Sequence, residues 1–123
     1  MATNEEIVLD YVAAWDEANE GKRRALLEKS WTENGTYADP TVEVVGREAL
    51  VMHIGVIHKQ FAGNRIVLTS RVDKHHDRLR FTWAMVNPEG NHVTEGIDFG
   101  EIGSDGRLKR ITGFFGLSSP VPE

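Results

Sequence analysis

Ile7, Val8, Tyr11, Val12 and Trp15 recur at three- and four-residue intervals, the spacing that keeps one face of an α-helix apolar. Thr3 and Glu6, three apart just ahead of that stripe, have the spacing of a capping box, and Gly21 marks the end of the helix. Lys22 to Trp31 predicts a second, shorter helix with Ala25, Leu26 and Leu27 turned inward, stopped by the turn signal Thr32-Glu33-Asn34-Gly35. A short strand follows over Thr36 to Asp39, closed by Pro40, and a further extended piece covers Val42 to Val45. Gly46 then opens a third helix in which Leu50, Ile54, Ile57 and Phe61 repeat at helical spacing, and Gly63-Asn64 ends it.

Beyond Asn64 the pattern becomes that of strands and turns. Strands are predicted over Arg65 to Val72, Leu79 to Val86, Val93 to Ile102 and Leu108 to Leu117. Polar turns at Asp73 to Asp77, Asn87-Pro88-Glu89-Gly90 and Ser104-Asp105-Gly106 separate them. Three helices followed by a four-strand antiparallel meander is an α+β arrangement, with helices covering one face of the sheet. No internal repeat, linker or low-complexity tract interrupts it, so residues 1–123 read as one domain with a loose Pro- and Ser-rich tail at about 118–123.

Alternation assigns faces within the sheet. Leu79, Phe81, Trp83 and Met85 share a face that should line the interior, as do Ile111, Gly113 and Phe115 in the last strand. Gly113 takes away a side chain where a core normally has one, which marks open space or a bulge. The strand between is ambiguous: Asp98 shares its face with Thr94, Gly96 and Gly100, while Val93, Ile97 and Phe99 point the other way. Either Asp98 is in water and the apolar set is core, or glycines leave room for a ligand beside an inward carboxylate and the apolar set packs on another subunit.

Composition narrows the partners. With 14 Lys and Arg against 19 Asp and Glu, the formal charge is −5, which opposes the phosphate neutralisation that nucleic acids require. The basic clusters Lys22-Arg23-Arg24 and Lys74 to Arg80 read as solvated surface. The absence of cysteine removes disulfides and thiolate metal sites, and a reducing cytoplasm is the default compartment. The acidic N-terminal stretch does not predict a secretory leader, and no run is long and apolar enough to span a bilayer. His53 and His58 point to different faces of their helix and His75-His76 falls in a turn, so no metal is predicted. Without a phosphate loop or a serine-nucleophile elbow, phosphoryl and acyl transfer are not expected, and no cofactor is predicted.

The segments Tyr11-Val12-Ala13-Ala14-Trp15, Tyr37-Ala38-Asp39-Pro40, Gly96-Ile97-Asp98-Phe99, Asp105-Gly106-Arg107 and Gly113-Phe114-Phe115-Gly116 extend across nearly the whole chain. Together they resemble the nuclear transport factor 2-like superfamily, in particular its SnoaL-like and ketosteroid-isomerase branches. The resemblance implies a cone, a cystatin-like roll in which three helices close a strongly bent, mainly antiparallel sheet around one pocket. It also implies a homodimer through the sheet's outer face and an inward Asp98. The implied pocket lining is Trp15, His53, Ile57, Phe61, Phe81, Trp83, Met85, Ile111, Gly113 and Phe115.

Tyr11, Asp39 before Pro40, and Asp98 after Ile97 match, one by one, three motifs that ketosteroid isomerases use in catalysis. By that resemblance Asp39 is the base, and Tyr11 and a protonated Asp98 donate to the enolate oxygen, an arrangement that is a standard worked example of pKa tuning. The implied activity is proton transfer next to a carbonyl on a small hydrophobic compound, and Trp83 crowds a ligand as large and flat as a steroid. Taken singly, Tyr11 also reads as a core tyrosine and Asp39 as a turn cap. A non-catalytic ligand-binding or assembly module of the same fold is the alternative, followed by water activation of the epoxide-hydrolase kind with Arg80 as the arginine.

Overall fold

A computed structural model describes residues 3–116 and 120–122. The Thr3 hydroxyl accepts from the Glu6 N–H at 3.1 Å and starts α1, Asn4–Asp16, whose stripe of Ile7, Val8, Tyr11 and Val12 is buried. The helix ends short of Gly21 because Asn19 caps α2, Glu20–Ser30, its Oδ1 accepting from Lys22 N at 2.9 Å. The buried face of α2 is Arg23, Leu27 and Ser30, while Ala25, predicted inward, is exposed.

Arg23 also corrects the reading of its cluster as solvated surface, since it is only 2% exposed. Its Nε donates to the Glu17 carbonyl at 3.1 Å, Nη2 to that of Ala18 at 3.0 Å, and Nη1 to that of Val51 at 3.0 Å. A planar fork with fixed donors can tie the α1–α2 connection to the third helix in this way, whereas a pattern search sees only a charge.

Strand β1, Trp31–Asp39, begins well before the predicted Thr36 and pairs antiparallel with β2, Val42–Val45. The predicted turn at Thr32 to Gly35 lies inside β1, where the pairing register shifts between Trp31 and Thr36. Gly35 accommodates the Trp31 ring, because a Cβ there would lie 2.7 Å from the indole nitrogen. Gly46, at φ +95°, turns the chain into α3, Arg47–Gln60.

The remaining strands are β3 (Arg65–Leu68), β4 (Asp73–His75), β5 (Arg78–Val86), β6 (His92–Ile102) and β7 (Leu108–Phe115). In place of one strand over Arg65 to Val72 and a turn at Asp73 to Asp77, β3 and β4 both pair antiparallel with β5, one along each half. The turn itself is only His76-Asp77, with φ of +48° and +60°. β4 escaped the pattern because all three of its residues are exposed, so no apolar alternation reports it. Leu117 and residues 118, 119 and 123 of the predicted tail lie outside the described residues.

The sheet runs β2-β1-β7-β6-β5-β3, antiparallel throughout except where β1 lies parallel to β7. The three helices cover one face of this open, mixed sheet, a cone-like α+β fold, and the core packs between them. On β6, Gly96, Asp98, Gly100 and Ile102 face inward and are buried, which settles the ambiguous strand. Val93 and Phe99 lie exposed on the outer face, 48% and 43% accessible. Among the described residues no helix is long and apolar enough to cross a membrane.

Candidate functional site

A cavity of about 460 Å³ opens between α1, α3 and the inner face of the sheet. Its wall includes Tyr11 and Trp15 from α1, Asp39 from β1, His53 and Ile57 from α3, and Phe61 just beyond it. The sheet adds Phe81, Trp83 and Met85 from β5, Asp98 from β6 and Phe115 from β7. The three residues read as catalytic therefore border one space.

Ile111 and Gly113, read as lining, do not border it. Ile111 is fully buried behind the wall, where its Cδ1 and the methyl groups of Leu79 and Leu108 fill the space over Gly100. The space over Gly113 belongs to Asp98: a Cβ on Gly113 would come within 2.7 Å of Asp98 Oδ1 and 3.7 Å of Asp39 Cβ. Gly113 is thus the gap through which β6 and β1 bring two acids to the same wall, across β7.

Those acids are held in opposite ways. Asp39 Oδ1 accepts from Thr41 N and Thr41 Oγ1, each at 2.7 Å, and from Val42 N at 3.2 Å, while its Oδ2 accepts from the Tyr37 hydroxyl at 2.5 Å. Four donors make it the anchor of the β1–β2 turn. Asp98 accepts one bond, from the Trp83 indole N–H to Oδ1 at 3.1 Å, and is 6% exposed. Burial drives its carboxyl up to about 7; the Trp83 bond opposes the shift and the neighbouring Asp39 adds to it.

The donors nearby are unspent. The Tyr11 hydroxyl and the Trp15 indole nitrogen are both buried and neither makes a hydrogen bond. Tyr11 stacks on Trp31 at 5.4 Å and meets Phe81 edge-on at 6.3 Å. Burial pushes its phenol well above the usual range and the Asp98 charge pushes further; the Trp15 side chain acts the other way, though without closing a bond. Tyr37 is raised too, first by burial. His53 packs against Trp15 and Tyr37, and burial lowers its imidazole while the Asp39 charge opposes the shift. His58 instead contacts the Trp15 carbonyl through Nε2 at 2.8 Å and secures the end of α1.

Tyr37 escaped the sequence reading as a site residue, although it shares a strand face with Asp39 two positions on, which is the signal that could have found it. Thr41, Gln60 and Thr94 also line the cavity, with no pattern to announce them. Among the described residues no arginine borders the cavity, and Arg80 pairs with Asp73 in solvent, so the two acids have no arginine between them. Nor do three or more His, Asp or Glu residues gather into a metal-holding group among those residues.

Neither a family model nor a curated protein matches the chain. Solved structures do. A protein from Agrobacterium tumefaciens, provisionally named an isomerase of the SnoaL-like family, is 32% identical over 94% of this chain and 100% of its own, with a TM-score of 0.87. A provisionally named SnoaL-like polyketide cyclase from a Jannaschia species is 18% identical at a TM-score of 0.72, over 91% of this chain and 84% of its own. A cystatin-like protein of unknown function from Methylobium petroleophilum is 17% identical at 0.75, over 98% and 78%. The last two show a shared fold.

Proposed function

Since this chain belongs to the SnoaL-like family, we propose that its cavity performs general acid–base chemistry on a small, largely apolar carbonyl compound, with Asp98 moving the proton. The observation that carries the reading is the single hydrogen bond to Asp98, which leaves its second oxygen available in an apolar cavity. A carboxyl that titrates near 7 can take a proton at neutral pH and return it. Asp39 already accepts four hydrogen bonds where Asp98 accepts one, so in this reading the role of base passes from Asp39 to Asp98.

The steps balance without a cofactor. Asp98 removes a proton from the carbon next to the carbonyl, and the electron pair moves onto oxygen as an enolate. The unpartnered Tyr11 hydroxyl donates to that oxygen. Protonated Asp98 then delivers the proton to a conjugated carbon, which isomerises the substrate. The test is hydrogen–deuterium exchange next to the carbonyl of small cyclic enones in D2O, followed by NMR. Protein-dependent exchange supports the reading; ligand-induced quenching of tryptophan fluorescence with no exchange would replace it with a binding module.

We propose also that a second copy covers the outer sheet face, where Val93, Phe99 and Phe114 are exposed and the two phenylalanines meet edge-to-face at 6.2 Å. Light scattering on the eluting protein is expected to give twice the single-chain mass, and Phe99→Glu the single-chain mass. A wild-type chain that elutes as a monomer would count against it.

A further inference from the structure

We propose that Trp83 is a positioning residue for Asp98: its indole N–H fixes one carboxyl oxygen against β5 and leaves the other facing the cavity as the atom that exchanges a proton. The bond from Trp83 Nε1 to Asp98 Oδ1, at 3.1 Å, is diagonal. Directly across from Asp98 on β5 stands Phe81, and directly across from Trp83 on β6 stands Gly96. The indole therefore has to lie along the sheet, over the Gly96 backbone, to reach the carboxyl.

Gly96 makes that possible. A Cβ at this position would lie 2.5 Å from Trp83 Cζ2, 2.7 Å from Cε2 and 2.6 Å from the Phe114 carbonyl oxygen. Phe115 meets the ring edge-on at 5.9 Å, so the indole is held in place from a second strand. Gly113 on the other side of Asp98 admits the carboxyl and nothing larger. The Trp83 ring fills the space over Gly96, and Leu79, Ile111 and Leu108 that over Gly100, correcting the expectation that these two glycines beside Asp98 leave room for a ligand; Gly96 and Gly113 instead hold the ring and the carboxyl. One of them seats the donor and the other seats the acceptor.

The remaining groups around Asp98 are Tyr11 from α1, Tyr37 and Asp39 from β1, and His53 from α3. None of these makes a hydrogen bond to the Asp98 carboxyl, so the Trp83 bond can be removed without changing another. A donor to the ionised form favours it, and losing that donor must raise the pH at which the carboxyl titrates.

The inference rests on the role proposed for Asp98, but its first readout needs no substrate. In the full chain carrying 13C-carboxyl-labelled aspartate, the Asp98 resonance is expected to titrate near 7. In Trp83→Phe the midpoint should rise by about one pH unit, the size expected for one hydrogen bond to a charged group. An isosteric benzothiophene amino acid at position 83, which keeps the ring shape and lacks the N–H, should give the same rise if the phenylalanine variant does not fold. Phe115→Leu, which keeps the donor, should leave the midpoint in place. An unchanged or lower midpoint on loss of the N–H overturns the inference. If the midpoint rises but no exchange activity exists, positioning stands and the proposed reaction falls.

Discussion

Asp98→Asn is expected to abolish proton exchange and, at the same time, to make the protein more stable above neutral pH. General acid–base groups contribute about 10²–10⁴-fold, so exchange next to the carbonyl should fall at least 10²-fold. The stability gain follows from burial. The folded carboxyl titrates near 7, above its ordinary value of 3.8, so between those values the folded chain binds a proton that the unfolded chain has released. Stability therefore falls as pH rises through this window and levels off above it. The interval corresponds to roughly 4 kcal/mol of destabilisation carried by Asp98 once it is ionised. An amide keeps an oxygen for the Trp83 N–H and has no charge to bury. Urea unfolding of both proteins between pH 4 and pH 8 should show the difference in favour of D98N growing with pH; parallel curves would refute the burial of this charge. Such a disadvantage is what the proposed proton transfer would require of the group.

Arg23→Met should have the largest effect on folding. The substitution keeps most of the aliphatic volume but leaves the carbonyls of Glu17, Ala18 and Val51 without their donors, two of them at the end of the helix that carries Tyr11 and Trp15. Buried acceptors left unsatisfied cost about 1–3 kcal/mol each, and partial rehydration reduces the sum, so a loss of roughly 3 kcal/mol or more is expected. In thermal unfolding this is a fall of roughly 10 °C for a chain of this size. Arg24→Met, whose guanidinium lies in solvent against Glu20 and Glu48, is the control and should barely move the midpoint. Equal effects of the two variants would contradict the anchoring role of Arg23.

How much of this could be read in the sequence depends on what each residue's neighbours are. The first and third helices declare themselves because their inward positions are apolar and periodic, and β5 does so because Leu79, Phe81, Trp83 and Met85 alternate with smaller or polar residues. Alternation failed on β6, whose outer face carries Val93, Ile97 and Phe99 and is as apolar as a core face, while its inner face is largely glycine and acid. Only the family likeness pointed Asp98 inward there. Arg23 was illegible because its partners are backbone carbonyls, which every residue has. Asp39, set by a local turn, was legible as a turn cap before Pro40, whereas the situation of Asp98 was not, being set by a tryptophan on a neighbouring strand.

The place of β7 has a consequence for how the molecule is made. This strand comes last in the order of elements, yet it lies between β1, the first strand, and β6. The early half of the sheet thus has no edge to join the late half until about residue 115 is available, and a growing chain on the ribosome holds two open strand edges apart until β7 has been made. Pairings so distant along the chain slow folding and leave edges exposed while it waits. Asp39 and Asp98 come together only at that final docking, so the site is assembled by the same event that completes the sheet.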